Sequence, residues 1–169
     1  MSSLQDIADA KVQAAVNRRL DALTPTIVSI TQEMNARGLL HSSSKAAAIS
    51  AVCISLFDEI RDAMKTEYGM VLDNAFWPTE PLGDQLISKA SCHFDAVINR
   101  AQGEIKSASQ SLMRKDTYKE LCSEVTQARD RTLIDLSLFI DGHSKIPMRK
   151  KIMRTMIYLP KFILGLIKQ

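Results

Sequence analysis

From Asp84 onward the apolar positions Ile87, Ala90, Phe94, Val97, Ala101, Ile105, Ala108 and Leu112 recur in steps of three and four. That spacing lines one face of an α-helix and packs it nearly antiparallel against neighbours. A second series, Tyr118, Leu121, Val125, Ala128, Thr132, Leu136 and Phe139, repeats the pattern as far as Gly142. No Gly or Pro interrupts residues 104–141. The two series therefore read either as two helices turning at Arg114-Lys115-Asp116, with Asp116 as cap, or as one very long helix, which would imply a coiled-coil-like or swapped oligomer.

The first half of the chain carries the same period with more punctuation. A helix is predicted from about Ser3 to Leu23, after which Thr24 can cap a second helix with Pro25 in its first position, where the missing N–H costs nothing. Gly38 should end that second helix in a left-handed conformation. Ser42, Ser43 and Ser44 offer a new cap for a helix from Lys45 to about Tyr68, closed by Gly69. Its first half, Ala46 to Ile54, is apolar on nearly every side and should sit at the centre of a bundle. Residues 73–83 contain Phe76, Trp77, Pro78 and Pro81 and read as a connector with an aromatic plug. The expected fold class is all-α, an antiparallel bundle of four or five helices over residues 1–142, followed by a basic amphipathic C-terminal helix in residues 143–169.

Charge sets that last segment apart. Seven of the 22 Lys and Arg lie after Asp141 and none of the 19 acids does, so residues 1–142 hold 15 bases against 19 acids, a charge of −4, and the C-terminal segment holds +7. A general nucleic-acid binder would show a basic stripe on its body, which argues against that class. Wound at roughly 100° per residue, Lys150, Lys151, Arg154, Lys161 and Lys168 fall in one narrow sector, whereas Ile152, Met156, Leu159, Phe162, Ile163 and Leu166 belong to a broad apolar arc. Pro160 should kink the segment. Lys161 divides its uncharged run, so a single membrane span of ~20 apolar residues is not expected. Cations beside a wide apolar surface suit an anionic membrane face, or else an acidic and apolar protein groove.

Candidates for chemistry are few. Cys53, Cys92 and Cys122 are widely spaced, with no C-x-x-C, and indicate neither a disulfide framework nor a zinc module. Cys92-His93 are adjacent, and neighbours on a helix point about 100° apart, too far to share an ion. His93 and Asp95 diverge for a similar reason, while His93 and Lys89 share a face. Arg37-Gly-Leu-Leu-His41 resembles the Arg and His pair of HEPN-type helical ribonucleases, but the spacing is short and Gly38 should end the helix that the pair needs. Asp141-Gly142-His143-Ser144 reads as a helix end and linker rather than a triad. No phosphate-binding Gly loop, H-E-x-x-H or G-x-S-x-G occurs.

The sequence thus predicts a non-enzymatic protein, with no metal or cofactor, that attaches to the cytoplasmic face of a membrane through its C-terminal segment. The competing expectation is a scaffold or adaptor that binds a protein partner, or oligomerises, through the same segment. The N-terminus carries neither the positive leader nor the apolar run of a secretory signal, which fits a cytoplasmic location.

Overall fold

A computed structural model describes residues 3–75, 80–109 and 115–144. They form four long helices, α1 (Leu4–Ala36), α2 (Ser43–Asn74), α3 (Glu80–Ser109) and α4 (Lys115–Ser144), with no strand among the described residues. The expectation of an all-α fold holds for all of them. Residues 145–169, which hold nearly all of the basic amphipathic C-terminal helix expected over 143–169, lie outside the described residues.

Helix α1 starts in a capping box: Ser3 Oγ accepts from the Asp6 amide at 3.1 Å, and Asp6 Oδ2 accepts from the Ser3 amide at 3.0 Å. The helix then runs straight past Thr24 and Pro25, where a break was expected. The reason lies in the stripe Val12, Val16, Leu20, Leu23, Ile27 and Ile30, which crosses Pro25 without losing step and packs on the core throughout. Pro25 itself is exposed. Its cost, ~3 kcal/mol in a helix interior, is offset by burial on both sides of it, at about 1.5–3 kcal/mol for each large aliphatic fully buried.

Gly38 ends α1 as expected, with φ +70°. Its amide donates to Asn35 O at 3.0 Å and the Leu39 amide to Met34 O at 2.8 Å, the paired bonds of a Schellman turn. Ser42 occupies the N-cap position of α2, and its hydroxyl donates back to Leu39 O at 2.6 Å instead of capping the helix. Helix α2 does not stop at Gly69 but continues to Asn74. Gly69 is buried, and a Cβ built there would lie 3.4 Å from Cζ of Phe139 on α4. It is a point of close approach rather than a terminator. Helix α3 begins at Glu80, so Pro81 sits in its first turn, where the absent N–H has no partner to lose. Helix α4 likewise passes Gly142 and ends at Ser144.

Contacts across the helices fix the topology. Lys11 with Glu67 and Arg19 with Glu59 set α1 antiparallel to α2. Lys65 with Asp135 and Gly69 under Phe139 set α2 parallel to α4. Arg129 with Ser91, and Gly83 against Ile140, show that α4 runs back along α3, which corrects the single-helix alternative for residues 84–141. Asp116 falls in the first turn of α4 rather than before it. The helices occupy the corners of a bundle in the order α1, α2, α4, α3. Helix α2 packs on all three others, as its apolar first half predicts, and the seam between α1 and α3 is the thinnest side.

The core is filled by the predicted stripes. Ala90, Phe94, Val97, Ala101, Ile105 and Ala108 of α3 are buried, as are Leu121, Val125, Thr132 and Leu136 of α4. Phe57 and Phe94 meet at its centre with rings 5.8 Å apart and tilted by 53°, a favoured edge-on arrangement.

Candidate functional site

The eleven residues singled out in sequence as the binding surface, Lys150, Lys151, Ile152, Arg154, Met156, Leu159, Lys161, Phe162, Ile163, Leu166 and Lys168, all lie outside the described residues. The described bundle supplies the platform that they leave from. That platform is the end of the bundle where α1 and α3 begin and α2 and α4 finish.

Two features of this end were not read from the sequence. Ile134 and Leu138, one turn apart on α4, are 60% and 64% exposed, the highest values among the described large aliphatic residues. Leu4, Ile7 and Met70 add exposed apolar surface on α1 and α2 at the same end. Its charge is also one-sided: residues 3–10, 66–75, 80–88 and 132–144 contain no Lys or Arg, whereas Asp6, Asp73, Asp84 and Asp141 are exposed there. Around it Lys11, Lys65 and Lys89 are held in ion pairs with Glu67, Asp135 and Asp9, and Arg131 is exposed one turn before Ile134 on α4.

Behind this surface a polar cluster ties three helices together. Asp9 of α1 accepts from His93 Nε2 at 3.0 Å and from the Tyr68 hydroxyl at 3.4 Å through Oδ1, and its Oδ2 lies 3.3 Å from Lys89 Nζ. Partial burial pushes the Asp9 carboxyl up, but hydrogen bonds from His93 and Lys89 and the charge of Lys89 outweigh it and hold the group below its ordinary value. Burial first, and the Asp9 charge second, push the Tyr68 phenol well above its ordinary value, so it stays a proton donor. His93 and Lys89 share a face, as their spacing predicts. Their partner is Asp9, 84 positions from His93, which no local pattern reveals.

This cluster is arranged as a clamp. Every short contact of the Asp9 carboxylate goes to an internal donor, and Tyr68 is fully buried. A surface groove runs elsewhere, between α1 and α2, lined by Ala14, Ala15 and Ala63 together with Lys11, Arg18 and Glu67. Among the described residues no group of His, Cys, Asp and Glu is placed to hold a metal ion. The Arg37–His41 pair is not assembled either: Arg37 caps α1 beside Glu33, and His41 is exposed in the turn beyond. His143 donates from Nδ1 to Phe139 O at 3.0 Å within its own helix.

No protein-family profile, curated protein or solved structure matches this chain. Its reading rests on its own chemistry.

Other polar bridges are structural. Arg129 of α4 reaches Asp95 at 2.7 Å and Ser91 at 2.9 Å on α3, and Asp135 takes Lys65 at 2.8 Å and Arg61 at 3.3 Å from α2. No described helix is long and apolar enough to cross a membrane.

Proposed function

We propose that this is a non-enzymatic helical protein that attaches peripherally to an anionic, cytoplasmic membrane surface through a basic amphipathic helix in residues 145–169. The observation that carries the reading is the complete absence of acids after Asp141 in a segment that holds seven Lys and Arg among Ile, Leu, Met and Phe. Supporting it, the spacing of Ile152, Met156, Leu159 and Ile163 gives one apolar arc beside the basic sector of Lys150, Lys151 and Arg154. Each Lys or Arg near an anionic leaflet contributes about 1 kcal/mol and each buried methylene about 0.8 kcal/mol.

Vesicle co-sedimentation tests it. The full chain should bind vesicles containing phosphatidylserine, and replacing Lys150, Lys151 and Arg154 by Gln should cost roughly 3 kcal/mol at low salt, at the usual value per charge. Equal binding of both proteins to neutral and anionic vesicles, or no binding at all, would reject it. The second reading, a scaffold that engages a protein partner or another copy through the same segment, is favoured by one specific observation: the exposed Ile134 and Leu138 on the helix that leads into it.

A further inference from the structure

We infer that two copies of this chain pair through the outer face of α4, antiparallel about a two-fold axis level with Leu136. The inference goes beyond the membrane reading and does not rest on it, because it uses no residue after Asp141.

Direction along the helix sets the face. At about 100° per residue, Ile134 and Leu138 each point roughly 160° away from Leu136, which is fully buried. Asp135 turns toward α2 to meet Lys65, and Arg129 toward α3 to meet Asp95. The bundle's own helices thus flank α4 on its other sides and leave Ile134 and Leu138 exposed.

Charge identifies the occupant. Arg131 lies three positions before Ile134 and Asp141 three positions after Leu138, both exposed and within roughly 40° of the pair's mean direction. The seam therefore reads cation, aliphatic, aliphatic, anion. Turned end for end and laid against itself, it sets Ile134 opposite the second copy's Leu138 and Arg131 opposite the second copy's Asp141, each contact made twice. Each charge stands about 7.5 Å along the helix from the axis, so opposite charges meet at one level while like charges stay about 15 Å apart. A parallel pairing would instead set Arg131 on Arg131 and Asp141 on Asp141, which is unfavourable. Arg129 is taken up by Asp95 and Asp130, whereas Arg131 has no ion pair among the described residues. Asp141 already has an interaction within its own chain, and a carboxylate takes more than one donor, as Asp135 does with Lys65 and Arg61.

Width decides against lipid as the occupant. The apolar part of the seam is one turn long, bounded by exposed Gln127, Asp130 and Arg131 before it and Asp141 after it. A helix that lies in a membrane interface presents a broad apolar arc instead. Antiparallel helices at about 8–10 Å share only a narrow seam. Two aliphatic residues from each copy make a small contact, so the pairing is reversible and depends on concentration.

Sedimentation equilibrium of the full chain without lipid, over dilutions from roughly a few hundred micromolar downward, tests the pairing. The wild type should pass reversibly between one copy and two. Ile134→Gln with Leu138→Gln should raise the dissociation constant about tenfold or more. Arg131→Glu and Asp141→Lys should each weaken self-association about tenfold as well, because each sets like charges opposite one another at both ends of the seam. Mixed in equal amounts, these two charge variants should associate as tightly as the wild type, since one copy then carries two acids and the other two cations. Misfolded chains would not recover in that way. A wild type that stays single at every concentration overturns the pairing. So do charge variants that associate like the wild type, or a mixture no tighter than either variant alone. Association lost in Ile152→Gln with Met156→Gln, and insensitive to positions 131 and 141, assigns the contact to residues 145–169 and overturns the α4 pairing too.

Discussion

Gly69 of α2 lies directly beneath the ring of Phe139 on α4, at a separation where one added methyl group would sit 3.4 Å from the ring carbon Cζ. The two parallel helices approach here because one of them has no side chain. Replacing Gly69 by Leu should force the ring aside and destabilise the protein by about 1–3 kcal/mol, the usual cost of overpacking. Gly103, in the C-terminal third of α3, has nothing within 4 Å of a Cβ position. Gly103→Ala should therefore stabilise by ~0.5–1 kcal/mol, from helix propensity alone. Chemical denaturation of both variants checks the contrast, and a destabilised Gly103→Ala would contradict it.

The Asp9 cluster should behave as one unit. Asp9→Ala leaves the fully buried Tyr68 hydroxyl and the His93 ring without their acceptor and should cost about 2 kcal/mol. Tyr68→Phe removes a single long bond and should cost about 1 kcal/mol or less. The double variant should lose less than the sum, because the hydroxyl orphaned by the first change is deleted by the second. Strict additivity in urea melts would show that the groups are not coupled.

Acid should loosen the same cluster. The Asp9 and Asp135 carboxyls are both held below their ordinary value of 3.8, by His93 and Lys89 in one case and by Lys65 and Arg61 in the other. A depressed carboxyl contributes stability that is full above its unfolded value and is lost as pH falls through the lower, folded one. The melting temperature should accordingly hold steady with respect to these groups between pH 5 and 7, and drop below about pH 4. Asp9→Asn should flatten part of that drop; a variant with an unchanged acid limb would remove Asp9 from the account.

The cysteines should differ sharply in reactivity. Cys92 is exposed, whereas Cys53 is buried between helices, and burial, aided by the charge of Glu104, pushes its thiol up to about 11. A thiol reagent at pH 8 should label Cys92 promptly and Cys53 only when the protein unfolds. Rapid labelling of Cys53 in the native state would mean that the bundle opens far more easily than its packing indicates.

How much of this was legible beforehand depends on range. The buried stripes of α3 and α4 were readable because each residue's partner in the pattern is three or four places away, and the Gly38 terminus because φ +70° is a demand that glycine meets by itself. Pro25 and Gly69 misled for the opposite reason. Each reads locally as a break, and in each case tertiary packing, the continued stripe of α1 and the Phe139 ring, outweighs the local preference. Asp9 gave no signal at all, since its partners lie on two other helices. Ile134 and Leu138 could have been noticed as apolar residues off the stripe of Thr132, Leu136 and Phe139, since that offset turns them away from the core.

The parallel pairing of α2 with α4 has a consequence for the order in which the chain is made. Lys65 meets Asp135, 70 residues further on. At about 5–20 residues per second, a ribosome would take roughly 4–14 s to produce the one after the other. During that interval α1 can already lie against α2, and α3 can follow, but the groove around Gly69 waits with nothing to fill it. Nascent chains stalled before Phe139 should therefore recruit holdase chaperones, and those stalled well past Ser144 should release them.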